Sequence, residues 1–185
     1  IKLLHSTHKN LIFNFENALE QASGDVIFLS DQDDIWFDEK VRKYKEHLEK
    51  NLLVFSNAAM FYGNNSNVSE LFFKDSKKKT GLLNNLKKVK FLGATLAFQK
   101  FVLQKALPFP RNIPMHDIWI GLVAESMGDT YYIDEPLIYY RRHENAASTT
   151  GGKSSNSLLR KLKIRVNLAF ALIKRVLKPS NKNNS

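Results

Sequence analysis

The chain has 185 residues, 43% of them hydrophobic, which is enough for one domain with a buried core and too apolar for a chain disordered throughout. No run approaches the roughly 18 apolar residues of a bilayer span, no secretion signal opens the chain, and with no cysteine it has no disulfide, thiolate nucleophile or Cys-type zinc site. The net charge of +10 is local: residues 151–185 hold nine Lys or Arg and no acid, so residues 1–150 carry only +1 and a basic tail follows a nearly neutral domain.

Residues 10–22 place Leu11, Phe15, Ala18, Leu19 and Ala22 on one helical face. Ser23-Gly24-Asp25 ends it, and Val26-Ile27-Phe28-Leu29 reads as a short buried strand. Asp38 is placed to N-cap a charged helix running through Lys50. Residues 52–55 and 58–62 read as strand with a break near Ser56-Asn57, and 63–80 as a polar surface loop in which Lys77-Lys78-Lys79 is a solvated run. Residues 91–98 read as a buried segment, with a helix from about Lys100. His116 to Met127 predicts a helix with Gly128 beyond its end. Residues 131–133 and 137–140 read as two short strands around Asp134-Glu135-Pro136. There is no internal repeat, and the mixed order predicts an α/β fold.

The chemistry concentrates in Ser30-Asp31-Gln32-Asp33-Asp34-Ile35-Trp36, three carboxylates in four residues directly after an apolar strand. Like charges so placed repel, and a bound divalent cation is one compensation, since hard oxygen ligands suit Mg²⁺ or Mn²⁺ and these bridge phosphate oxygens. An acidic turn at the head of the next helix is the other reading, and spacing alone leaves both open. Trp36 is either a core aromatic closing the loop or a wall of the site. Read alone, His116 and Asp117 suit the first turn of a helix, where an acid meets the dipole, and His143 after Arg141-Arg142 suits a solvated strand end.

Gly24-Asp25-Val26-Ile27-Phe28-Leu29-Ser30-Asp31-Gln32-Asp33-Asp34-Ile35-Trp36, preceded by Asn14 and the Ala18-Leu19…Ala22 helix, resembles the family 2 glycosyltransferases. The closest flavour is the bacterial rhamnosyltransferase-like group that builds surface polysaccharide. Three later segments resemble the family in the same order: Phe91-Leu92-Gly93-Ala94-Thr95 its acceptor-side segment, Met115-His116-Asp117-Ile118-Trp119 its acidic motif, and Pro136 to Asn145 the motif that closes the catalytic domain. The resemblance covers residues 10–148 and implies a GT-A fold (Rossmann-like, binding a nucleoside-diphosphate sugar) and an inverting, metal-dependent transfer. On it, Asp31 and Asp33 are the Asp-x-Asp pair on the donor, with Asp33 the direct ligand of Mn²⁺ or Mg²⁺ and Asp31 beside it. Asp34 is a supporting or sugar-contacting carboxylate, Asp117 the catalytic base and His143 a further metal ligand. Gly93, Ala94, Thr95 and Trp119 fall on the acceptor side.

This sequence departs from the family in carrying His116-Asp117 where many relatives have Glu-Asp. It also begins with Ile1, as a fragment would. The family's first strand, nucleotide-binding loop and further β-α units have no counterpart before Asn14, so a parallel sheet missing strands, with poor stability and little activity alone, is expected. In the tail, Leu158, Leu159, Leu162, Val166, Ala169, Phe170, Ile173, Val176 and Leu177 fall within roughly 120° of a helical wheel, while Ile164, Leu168 and Leu172 interrupt its polar side. A basic amphipathic helix of this kind suits an anionic membrane surface through residues 158–178, and packing on its own domain or a partner is the alternative. The segment after Pro179 reads as disordered.

The expectation is therefore residues 1–150 as the C-terminal portion of a GT-A catalytic domain and 151–185 as a basic helix and tail. The protein would act at the cytoplasmic face of the membrane, passing a sugar (rhamnose by resemblance) to a surface-polysaccharide or lipid-linked glycan. The competing expectation is a non-catalytic remnant or basic binding module. Basic residues and aromatics are not interleaved on a nucleic-acid motif, so no nucleic-acid partner is expected.

Overall fold

The computed structural model describes residues 2–6, 10–62, 70–74, 80–142 and 157–177. Helix α1 (Leu11–Glu20) starts where Asn10, in extended backbone, accepts the Ile12 N–H on its side chain at 2.8 Å. Strands β1 (Val26–Phe28) and β2 (Ile35–Trp36) flank the acidic stretch, and helix α2 (Lys40–Leu48) follows. Strand β3 (Leu53–Tyr62), strand β4 (Glu70–Leu71) and helix α3 (Leu82–Lys87) lead to a 3-10 turn at Gly93–Thr95. Strand β5 (Leu96–Gln99), helices α4 (Lys100–Ala106) and α5 (His116–Met127), strand β6 (Thr130–Arg142) and helix α6 (Leu158–Leu177) complete the order.

The strands form one sheet in the order β1-β5-β3-β6-β2, with β4 also on β3. Among the described residues, only the β3–β6 pair is parallel. The expected parallel sheet is therefore mostly antiparallel over the described residues. Strand β1, expected to be buried, instead ends the sheet: only Ile27 of its three residues is buried. Alternation along the central strands sorts the core into layers. Leu53, Phe55, Leu96 and Phe98 face α1, α4, α5 and α6, whereas Val54 and Ala97 face Tyr44 and Leu48 of α2.

Three local expectations are corrected. Asp38 is no N-cap: α2 begins after Glu39, whose backbone is already helical, and the Lys40 N–H is taken by the Phe37 carbonyl at 3.0 Å. The break near Ser56-Asn57 is a register shift inside one continuous β3. There the buried Asn57 side chain accepts the Ala58 and Phe73 N–H groups, each at 2.9 Å, and donates to the Phe73 carbonyl at 3.0 Å. Likewise 131–133 and 137–140 are one strand, because Pro136 pairs with Asn57 across the same irregularity. The lysine run 77–79 and the segment after Pro179 lie outside the described residues.

Candidate active site

The acidic stretch is fixed at both ends. Before it, the Leu29 N–H donates to the Leu96 carbonyl at 3.0 Å. After it, β2 pairs with β6 so that Ile35 sits opposite Tyr139 and Trp36 opposite Ile138. Arg141 then ties the loop to β6: its backbone N–H donates to Asp34 Oδ1 at 3.2 Å and its guanidinium Nε to the Asp33 carbonyl at 3.3 Å. Asp31, Asp33 and Asp34 are all half-buried. Burial and then the neighbouring Asp33 raise the pKa of Asp31. Burial pushes Asp34 up to about 7 against the Arg141 N–H, with Asp31 and Asp33 adding to the rise. The crowding expected of three adjacent carboxylates is thus present.

Lys40 answers part of that charge, and the sequence reading passed it over. It has no exposed surface, its Nζ donates to the Ala94 carbonyl at 3.1 Å, and it lies 3.9 Å from the Trp36 ring centre. Burial pushes it down to about 7, opposed by Asp34. It shares the buried face of α2 with Tyr44 and Leu48, at a repeat of four residues. Trp36 is half-buried, packs against Phe28 with centroids 5.6 Å apart and lies on the core cluster that includes Ala94 and Ile138.

Across from the loop stands the first turn of α5. Asp117 is buried, its Oδ1 accepts the Ile118 N–H at 2.7 Å, and the Gly93 N–H also holds its charge. Burial nevertheless raises it to about 6, with a contribution from Asp31 that places the two carboxylates in one electrostatic neighbourhood. A Cβ on Gly93 would sit 3.4 Å from Asp117 Oδ2 and 3.6 Å from His116 Nε2, ordinary van der Waals distances, so this backbone borders the pair. His116 is buried and stacks on Phe15 at 3.8 Å; burial pushes it down to about 4, and its Nδ1 has no hydrogen-bond partner among the described residues.

The other expected residues fall as follows. Ala94 and Thr95 are buried, and their carbonyls are occupied by Lys40 Nζ and by the Tyr44 hydroxyl at 2.6 Å. Trp119 is fully buried, its indole N–H donating to the Ala106 carbonyl at 2.9 Å, so its ring has no surface with which to meet an acceptor and instead holds α5 on α4. Gly93 remains half-exposed at the site. His143 lies outside the described residues, directly after β6.

Among the described residues, no three His, Asp or Glu side chains form a group that could hold a metal ion. The acidity of the loop is what a bound divalent cation would offset: Asp34 Oδ2 is a buried oxygen with no hydrogen-bond partner among the described residues, and burial, with Asp31 and Asp33, raises its pKa. Asp31 and Asp33 would be the cation's protein ligands.

Staphylococcus aureus TarS 1–349 in complex with UDP-GlcNAc matches with a TM-score of 0.52 at 16% identity, over 91% of this chain and 47% of that one. The architecture is a partial GT-A fold. The same S. aureus protein in complex with UDP gives a TM-score of 0.48 at 15% identity, over 91% of this chain and 45% of that one. The chain thus spans about half the length of the solved structures it matches. No family model matches it. No curated protein matches it.

Proposed function

We propose that the chain is the catalytic portion of a metal-dependent, inverting glycosyltransferase acting on a nucleoside-diphosphate sugar. The carrying observation is the pairing of sites: a buried Asp117, seated on Gly93, within the field of Asp31 on the acidic loop. The match to TarS in complex with UDP-GlcNAc supports a nucleotide-sugar donor. Rhamnose as the sugar, and a surface-polysaccharide or lipid-linked acceptor at the cytoplasmic membrane face, rest on the sequence resemblance.

In this reading Asp117 removes the proton of the acceptor hydroxyl as its oxygen attacks the anomeric carbon and the diphosphate leaves. A carboxyl raised to about 6 is ionised at neutral pH yet more basic than an ordinary aspartate, which is what a general base requires. His116, held neutral by burial, places no cation beside it to lower that basicity. Asp31 and Asp33 orient the diphosphate, and Arg141 fixes the loop that carries them. When bound, Mn²⁺ or Mg²⁺ supplies the charge that offsets the departing diphosphate.

The test is Mn²⁺-dependent release of nucleoside diphosphate from a panel of UDP-, dTDP- and GDP-sugars. Asp33→Ala should abolish the Mn²⁺-dependent release, and Asp117→Asn should lower transfer by about 100-fold or more. Full turnover in either variant removes the role assigned to that residue.

A further inference from the structure

We propose that the outward face of α6 is a docking surface for an anionic phospholipid bilayer, on which the helix lies flat while its inner face stays packed on the domain. The helix has two apolar faces. Leu168 and Leu172 are buried with the core, with Ile164 and Ala171 half-buried beside them. Ile164, Leu168 and Leu172 are the residues that interrupt the polar side of the wheel, and with Ala171 they form the arc that binds the domain. The continuous apolar stripe is left outside: Leu162, Val166, Phe170 and Ile173 are each more than half exposed, as are Leu159 and Leu177.

Charge complementarity selects the occupant. At 100° per residue, Lys163, Lys174 and Arg160 border one side of the exposed stripe and Arg165 the other, and the helix contains no acidic residue. An apolar strip edged by cations on both sides fits an interface where acyl chains lie beneath anionic headgroups. A protein partner built on burial alone would not call for cations on both borders. No helix among the described residues is long and apolar enough to cross a membrane, so α6 would rest on the surface rather than span it.

The stripe continues onto the body of the domain. Phe170 and Lys174 share a groove of about 740 Å³ with Phe109, Pro110 and the exposed Arg111. Arg175 anchors this side: its guanidinium donates to the carbonyls of Lys105, Leu107 and Pro108 and lies 5.7 Å from the Trp119 ring centre. The proposal does not depend on the donor chemistry, because its readout is binding.

The experiment is co-sedimentation of the full 185-residue chain with vesicles of phosphatidylcholine containing one-third phosphatidylglycerol, beside pure phosphatidylcholine. Binding to the anionic vesicles, weakened by added salt, is expected. Phe170→Asp with Ile173→Asp should weaken partitioning about tenfold or more, with unchanged far-UV circular dichroism because both side chains point outward. Lys163→Gln with Lys174→Gln keeps the apolar stripe and should weaken it by about tenfold through charge alone. Equal binding to neutral vesicles, or wild-type binding by both double variants, overturns the proposal. So does a self-associated chain that ignores vesicles and becomes monomeric in the Phe170→Asp, Ile173→Asp variant, which would assign the face to a second copy.

Discussion

Asp117 is stabilised and destabilised by the same placement. Three backbone N–H groups, of Ile118, Gly93 and Asp117 itself, favour its charge, yet burial outweighs them and lifts it from 3.8 to about 6. Because the native pKa lies above the unfolded one, the native state keeps a proton that the unfolded chain has lost. The folded state is therefore penalised as pH rises from about 4 through 6, and the penalty stays constant above that. Asp117→Asn should remove it, making the metal-free protein about 1–3 kcal/mol more stable at pH 7 while flattening its stability between pH 4 and 7. Thermal denaturation across that range checks both; a variant that melts lower at pH 7 contradicts the assignment. Transfer by the wild type should in turn rise with pH through about 6. Asp31 and Asp33 were legible in the sequence as acids clustered after an apolar strand, and Asp117 only through the family resemblance, since read alone it suits the first turn of a helix. Lys40 was not: a lysine in a charged helix is ordinary until three-dimensional packing shows its ammonium under Trp36 and against the Ala94 carbonyl.

At the scale of elements, sequence periodicity located α5 and its end at Gly128, and located the irregularity in β3. It could not say that the irregularity was a bulge in one strand, because an Asn that substitutes for a ladder partner looks locally like a loop residue. Nor could it assign Gly121, in the middle of α5, where helix propensity alone would favour alanine by about 1 kcal/mol. The reason is Phe91, whose ring edge would lie 2.3 Å from a Cβ there. That ring is held by Phe55 at 5.3 Å, edge to face, and it leads into the Gly93 turn that seats Asp117. Gly121→Ala should therefore destabilise by about 1–3 kcal/mol despite the better helix former. Adding Phe91→Leu should recover part of the loss, so that the two changes are non-additive in urea unfolding. An alanine variant at least as stable as wild type would show that the ring can move aside at no cost.

For the whole molecule, the α/β class and the GT-A frame could be read from the order of segments and from motif resemblance, but the direction in which α6 faces could not. A helical wheel ranks faces by composition, and it left the long apolar stripe open to a membrane surface, the domain or a partner. Packing instead selected the narrower arc at Ile164, Leu168 and Leu172, where three apolar side chains meet α3 and α5, and Arg175 secures the far end on backbone carbonyls. The two faces make opposite predictions about stability. Leu168→Ala removes a side chain buried in the main core and should cost about 2–5 kcal/mol through lost burial and the cavity left behind. Val166→Ala, on the exposed stripe, should change stability by about 0.5 kcal/mol or less. Chemical denaturation of the two variants in lipid-free buffer measures the contrast directly. If Val166→Ala proved the costlier change, the stripe rather than the arc would be the face that holds α6 to the domain, and no apolar surface would remain there for a membrane to cover.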